Sequence, residues 1–161
     1  MSGMAEAGKK AYGLFERAAS ALQPVVLLVA RLYWGWQLFE SGVGKFRHIA
    51  NVVEYFGSLG MPAPEITARM VSGLELFGGI LLFLGLGSRP IALILSANMI
   101  GAYWLGDHEA FLSVISDPDK FQAAAPFVYL CVSVVVLAFG AGPLSLDGLI
   151  SRLMGKREEK T

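Results

Sequence analysis

The chain has 161 residues, of which 55% are hydrophobic and only 16% are charged, and its formal net charge at pH 7 is zero. This length allows one domain, while the scarcity of charge and a mean hydropathy of +0.56 are wrong for an ordinary soluble domain. Because the net charge is zero and basic and aromatic residues form no strip that could follow a phosphate backbone, we exclude nucleic-acid binding. The single cysteine excludes an internal disulfide or a paired-cysteine redox site.

The first 23 residues are predicted to form an interfacial helix rather than a signal peptide, because they lack an early uninterrupted apolar stretch. Apolar residues recur at helical spacing with basic residues around them, which is typical of a helix lying on a membrane surface. The apolar positions are Tyr12, Leu14, Phe15, Ala18, Ala19 and Leu22, and the basic ones are Lys9, Lys10 and Arg17. Pro24 suits the start of the next helix.

Four apolar runs approach the roughly 20 residues that a helix needs to cross a bilayer core about 30 Å thick. They cover about residues 24–46, 70–87, 91–106 and 124–142. We therefore expect an all-α protein, a single domain that forms an integral membrane four-helix bundle. An even number of spans places both termini on one side, and the distribution of lysine and arginine predicts that this side is cytoplasmic.

Two further amphipathic helices are predicted outside the spans. In the first outer loop, four apolar residues share one helical face, which predicts an interfacial helix ending near Gly57. These residues are Ile49, Val52, Val53 and Phe56. Residues 147–161 are predicted to form an interfacial tail helix capped by Ser145 or Asp147. Its basic residues, which we expect to meet anionic lipid or a soluble partner, are Arg152, Lys156 and Arg157.

Ionisable residues inside the predicted spans are the candidate site, because a charge at the bilayer centre costs about 2.5 to 3.5 kcal/mol on insertion scales. Arg31 and Lys45 lie on one stripe of the first span, and Glu75 lies in the second. Both helices carry glycines that favour close packing and would hide these charges from lipid. The glycines are Gly35, Gly42, Gly78 and Gly79.

The depths of these residues favour a contact between Glu75 and Lys45. Arg31 lies nearer the cytoplasmic side, at a depth mismatch on the order of 10 Å, so its contact with Glu75 would require staggered helices. We also expect Glu40 to approach Glu75 and to form a carboxylate pair that shares a proton. Two interpretations stay open: a polar pocket that exchanges protons or binds a headgroup such as a quinone, and charges that only hold the helices together.

Other polar and aromatic residues give weaker signals. Asn98, Tyr129, Cys131 and Ser133 either face the same cavity or make hydrogen bonds between helices. A stacking wall for a ring would use Tyr33, Trp34, Trp36 and Phe39, although packing explains them equally well. His48 and His108 follow the outer ends of two spans, but their loop positions favour surface histidines over haem or metal ligands, and we expect no metal site.

Four stretches follow one another across the predicted spans. They are RLYWGWQLFESGVGKF, then GMP in the loop, then GLELFGGILLFLGLGSRP, and finally FGAGPLSLDGLI. In this order they resemble the DoxX family of small bacterial membrane proteins, over about residues 26–150. The resemblance implies a four-helix bundle in the cytoplasmic membrane, with some members associated with quinol oxidase, thiosulfate:quinone oxidoreductase or oxidative-stress complexes. The characteristic positions that it carries over are Arg31, Gly42, Lys45, Glu75, Gly79 and Ser145 to Asp147.

Two classes of function follow. The first is an accessory subunit of a membrane redox complex that binds a quinone, supported by the resemblance together with Glu75 and Lys45. Since the chain has no paired cysteines and no nucleotide-binding loop, we expect no intrinsic cofactor and no oxidoreductase activity without a protein partner. The second is a structural or scaffolding subunit. A small proton-coupled transporter is a third hypothesis, which would require a homo-oligomer, with the glycine-rich second span as a dimer contact.

Overall fold

The computed structural model describes residues 2–158, except for the side chains of residues 2–5, 7, 8 and 156–158, so the predicted lipid contacts of Lys156 and Arg157 lie outside the described residues. Within the described range the chain forms eight helices and no strand, which confirms the all-α prediction. The helices are α1 (Ser2–Arg47), α2 (Ile49–Ser58), α3 (Pro64–Leu84), α4 (Ser88–Leu105), α5 (His108–Leu112), α6 (Pro118–Ala123), α7 (Pro126–Phe139) and α8 (Leu146–Glu158).

The predicted start of a helix at Pro24 is wrong, because α1 continues through this residue without interruption. Proline inside a helix costs about 3 kcal/mol. The alanine-rich residues before it and the leucine-containing run after it are good helix formers that offset this cost. α1 is mostly exposed before Leu27, where its packing against the other helices begins. The interfacial position of residues 1–23 stays a prediction.

The other predicted helices are present with shifted ends. α3 begins at Pro64, before the predicted start at residue 70, because proline suits the first turn of a helix. α2 ends at Ser58, close to the predicted end at Gly57. α5 and α6 are short helices between α4 and α7 that were not predicted, because five or six residues show no clear apolar period.

Glycines determine how closely the helices pack. α1 packs most extensively on α3, α4 packs on α7, and α3 and α4 join the two pairs. A Cβ atom on Gly35 would lie 2.7 Å from a backbone nitrogen of α3, and Gly42 and Gly79 are equally close to the facing helix. Gly78 faces α4 instead, where a Cβ atom would lie 2.9 Å from the Leu95 side chain. Since carbon atoms normally pack at about 3.5–4.0 Å, larger residues at these positions would separate the helices.

The core between α1, α3, α4 and α7 consists of seven buried apolar residues. They are Leu38, Leu82, Ile91, Ala92, Leu95, Met99 and Val136. Near the carboxyl end of α4, Tyr103 is fully buried and stacks on Phe121, with ring centroids 4.8 Å apart. Its hydroxyl donates a hydrogen bond to the Phe121 carbonyl oxygen at 2.6 Å. These contacts attach α6 to α4 beside the amino end of α7.

Two helical segments of the described chain are long and apolar enough to cross a membrane, Lys9–Arg47 in α1 and Pro64–Leu84 in α3. α7 is apolar but shorter. The length and composition of α1 and α3 therefore agree with the first two predicted spans, while membrane crossing by α4 and α7 stays a prediction.

Candidate ligand-binding site

A cavity of about 600 Å³ lies among the carboxyl end of α1, the helix α2, the amino-terminal half of α3, the carboxyl-terminal half of α4 and the amino end of α7. Most of its lining residues are apolar. The polar lining residues are Ser41, Lys45, Asn51, Tyr55, Thr67, Glu75, Asn98, Asp107 and Tyr129. Small-molecule sites typically have volumes of about 300–1,000 Å³, so the cavity is large enough for a small ligand.

The carboxylate of Glu75 is the centre of the polar cluster in this cavity. Glu75 is only 4% exposed. One of its oxygens forms an ion pair with Lys45 Nζ, and the other accepts a hydrogen bond from Ser41 Oγ at 2.9 Å. The predicted contact between Lys45 and Glu75 is thus present. Ser41 was missed, although its position four residues before Lys45 places both on one face of α1.

The predicted carboxylate pair between Glu40 and Glu75 does not form. Glu40 is exposed, whereas both oxygens of Glu75 are engaged by Ser41 and Lys45. Consecutive residues of a helix differ in direction by about 100°, so Glu40 points away from the cavity that Ser41 enters. Glu40 is therefore not part of the cavity site.

Arg31 also lies outside the cavity site. Its exposed fraction is 1%. Its guanidinium donates hydrogen bonds to the carbonyl oxygens of Leu82 at 3.4 Å, Phe83 at 3.3 Å and Leu144 at 2.7 Å. The first two are among the last carbonyls of α3, which lack partners within the helix. Arg31 thus caps the carboxyl end of α3 and attaches it to the segment before α8, and no contact with Glu75 exists.

Asp147 connects the same region to the amino end of α4. Its carboxylate accepts hydrogen bonds from the backbone N–H groups of Gly87 and Ser88, at 2.9 and 2.8 Å, and from the Ser88 hydroxyl at 2.6 Å. Asp147 therefore caps α4, whereas Ser145 accepts a hydrogen bond from the Gly148 N–H at 3.0 Å and caps α8 as predicted.

These contacts lower the pKa of Asp147. Partial burial acts to raise this pKa, but the hydrogen bonds from Ser88 and Gly87 outweigh burial, and the nearby charge of Arg31 adds to their effect. The carboxylate form is therefore the one that the folded structure stabilises. With Arg31 it forms a polar network, which joins α1, α3, α4 and α8 at the opposite end of the bundle from the cavity.

The remaining candidate residues divide between the cavity and other surroundings. Asn98 and Tyr129 line the cavity, whereas Ser133 is buried in the core and Cys131 is exposed. The four aromatic residues predicted as a stacking wall do not line the cavity. Trp34 instead packs edge-on against Tyr129, with ring centroids 5.8 Å apart. The aromatic residues that do line it are Tyr55, Phe56 and Tyr129. The two from α2 were missed, because the sequence places α2 only at the membrane surface.

The two histidines are surface residues. His48 is exposed, and exposed His108 has its Nδ1 atom 3.1 Å from the Trp104 carbonyl oxygen. Among the described residues there is no group of three or more His, Cys, Asp and Glu residues that is arranged to hold a metal ion.

The chain is thus an all-helical protein, and two of its described helices are long and apolar enough to cross a membrane. The sequence pattern of the DoxX family matches residues 26–108, and the chain belongs to this family of membrane proteins. The inner membrane protein YphA of Escherichia coli is 32% identical over 134 residues, which cover 79% of this chain and 91% of YphA.

Two further relatives match at lower identity. The Bacillus subtilis protein named "Putative oxidoreductase CatD" is 28% identical over 125 residues, covering 76% of this chain and 85% of CatD. A Haemophilus influenzae protein is 29% identical over 134 residues, covering 80% of this chain and 85% of that protein. No solved structure matches this chain significantly.

Proposed function

We propose that the protein binds a small amphipathic molecule with a polar ring headgroup, of the quinone class, as an accessory subunit of a membrane redox complex. The observation that carries this proposal is the buried carboxylate of Glu75, held by the half-buried Lys45 and Ser41 on one wall of a largely apolar cavity of about 600 Å³. A polar headgroup would bind beside the cluster, and the apolar lining would bind the ring and the start of a hydrophobic tail.

The cluster offers both kinds of hydrogen-bonding group that a quinone and its reduced form require. A carboxylate has about four lone-pair positions, of which Ser41 and Lys45 occupy two on Glu75. The ammonium group of Lys45 has three N–H donors and keeps two of them for a ligand carbonyl. Asn98 and Tyr129 line the same cavity and add an amide and a hydroxyl. The cavity thus suits a ligand that changes between carbonyl and hydroxyl forms.

For the arrangement in the membrane, we propose a four-helix bundle in which α1, α3, α4 and α7 all cross the bacterial inner membrane, with both termini in the cytoplasm. The support is the excess of lysine and arginine at the predicted cytoplasmic side, together with the similarity to the inner membrane protein YphA. In this arrangement the cavity opens toward the outer side, and the network of Arg31 and Asp147 lies at the cytoplasmic side.

Electron transfer is assigned to a partner protein in this proposal. A quinone that changes its redox state needs an electron donor or acceptor, and the cavity side chains supply hydrogen bonds and charge rather than electrons. The similarity to CatD, which is named as an oxidoreductase, supports a connection with redox chemistry. The role of this chain is then to bind the headgroup and to exchange protons with it through Glu75.

A scaffolding subunit without a ligand is the second candidate function. It is favoured by Arg31 and Asp147, two characteristic positions whose hydrogen bonds cap α3 and α4 and attach the segment before α8. The close contacts of Gly35, Gly42 and Gly79 are structural in the same way. The cavity distinguishes the two functions, because scaffolding does not require an unfilled space beside the ion pair of Lys45 and Glu75.

Binding of a short-chain ubiquinone analogue to detergent-purified protein, measured by calorimetry, tests the proposal. We expect saturable binding to the wild type and at least tenfold weaker binding to Lys45→Met. Arg69→Met is the matched control, because Arg69 is an exposed cation on α3 whose carboxylate partner, Glu65, is also exposed. Absence of binding to the wild type, or equal binding to both variants, would favour the scaffolding function.

A further inference from the structure

One face of α1 carries polar side chains where the helix is expected to contact lipid. Tyr33, Gln37, Glu40 and Gly44 are separated by steps of four, three and four residues, so they lie along a single stripe. Tyr33 is 55% exposed, Glu40 is exposed, and a Cβ atom on Gly44 would meet nothing within 4 Å. We call these four residues the α1 polar stripe.

Lipid is an unfavourable neighbour for this stripe. Glu40 lies seven residues before the end of α1 at Arg47, which corresponds to about 10 Å along the helix axis. Its short side chain cannot extend over that distance to the outer interface. A charged residue in a spanning helix normally faces protein or water, and Glu40 has no hydrogen-bond partner in the described part of the chain. Either water or another protein surface therefore meets Glu40 at this level.

The stripe is complementary to itself. Gln37 offers amide N–H donors, and Glu40 offers carboxylate acceptors about one helical turn away. In a two-fold symmetric contact, residue i of one copy meets residue j of the other and the reverse, so Gln37 of each copy would donate to Glu40 of the other copy. Among the described residues of one chain, Gln37 has only a long hydrogen bond, with its Nε2 atom 3.5 Å from the Tyr33 hydroxyl, so its donors are available.

Gly44 permits the close approach that such a contact needs. The other glycines of α1 near this level, Gly35 and Gly42, contact α3, whereas a Cβ atom on Gly44 would meet nothing within 4 Å among the described residues. Small residues beside hydrogen-bonding side chains are typical of interfaces between membrane helices. We infer that the α1 polar stripe is the contact surface for a second copy of this chain, in a parallel two-fold dimer.

Cysteine cross-linking in native membranes tests the contact. In a Cys131→Ser background, Gly44→Cys should form a disulfide-linked dimer on mild oxidation, because a disulfide needs Cα atoms within about 7 Å. Phe77→Cys is the control, since Phe77 is exposed on α3, away from the stripe. A dimer band at least five times stronger at Gly44→Cys is the expected result. Equal bands, or a band only at Phe77→Cys, would overturn the proposal.

Variants of Glu40 separate self-association from contact with a different subunit. We expect about tenfold weaker dimerisation in lipid nanodiscs for Glu40→Leu, because two interhelical hydrogen bonds are lost. Glu40→Gln keeps a hydrogen-bond acceptor and removes like charges near the two-fold axis, so it should dimerise at least as well as the wild type. Loss of the dimer in Glu40→Gln would contradict the proposal and would point to a cationic residue on another protein. A wild type that stays monomeric would overturn it outright.

Discussion

Replacing Arg31 by methionine should destabilise the protein without altering the cavity. The hydrogen bond to the Leu144 carbonyl at 2.7 Å involves a charged donor, and such bonds contribute about 1.5–3 kcal/mol. The bonds to Leu82 and Phe83, at 3.4 and 3.3 Å, exceed the usual range and contribute less. Methionine keeps most of the apolar packing of the arginine stem and removes the cost of a buried charge. The net destabilisation is about 2–3 kcal/mol.

Thermal unfolding in detergent, followed by circular dichroism, measures this effect. For a chain of this size 1 kcal/mol shifts the Tm by about 2–4 °C, so Arg31→Met should lower it by about 5–10 °C. Arg89→Met is the control, because Arg89 is exposed and makes one hydrogen bond, to the Ala138 carbonyl oxygen at 3.3 Å. Equal Tm values for the two variants would refute the capping role of Arg31. Loss of ligand binding at an unchanged Tm would place it in the binding site instead.

Two further changes test the packing and the polar network. Gly42→Ala should lower the free energy of unfolding by about 1–3 kcal/mol, because its Cβ atom would collide with the backbone of α3. Gly44→Ala should be neutral or slightly stabilising. Unfolding in denaturant compares the two variants, and equal stabilities would contradict the close contact of Gly42 with α3. Asp147→Asn should lose about 1–3 kcal/mol at pH 7. Because the folded pKa of Asp147 is lowered, its contribution is fully present above the unfolded pKa and is lost as the pH falls through the folded pKa. The stability difference between wild type and Asp147→Asn should therefore narrow below about pH 4. A constant difference from about pH 3 to 7 would contradict the stabilising role of the Asp147 carboxylate.

The sequence predicts the helices well where a long apolar run or an amphipathic period exists. The all-α fold, the surface helix α2 and the tail helix α8 all follow from such patterns. The uninterrupted course of α1 does not follow from such a pattern, since Pro24 is compatible with either a helix start or a helix interior. It depends on whether the helix-forming residues on both sides offset the cost of a proline inside the helix. α5 and α6 depend on tertiary contacts such as that of Tyr103 with Phe121.

The candidate site is predictable in part for a similar reason. Helical spacing and relative depth are sufficient to bring Lys45 to Glu75, because both quantities can be counted along the chain. The direction of Glu40 requires the rotation of α1 about its axis, which is set by the contact of Gly42 with α3. The role of Arg31 requires the position of the segment that carries Leu144, more than 100 residues later, and no local pattern contains it.

The proposed ligand site is tested most directly by a matched pair of carboxylate variants. Glu75→Gln and Glu40→Gln make the same chemical change on adjacent helices, but only Glu75 lines the cavity. Binding of the short-chain ubiquinone analogue to both should be measured by calorimetry beside the wild type, with the Tm as a control for folding. We predict at least tenfold weaker binding for Glu75→Gln and unchanged binding for Glu40→Gln. Equal affinities for the two variants, with both folded, would contradict a quinone-type site at Glu75.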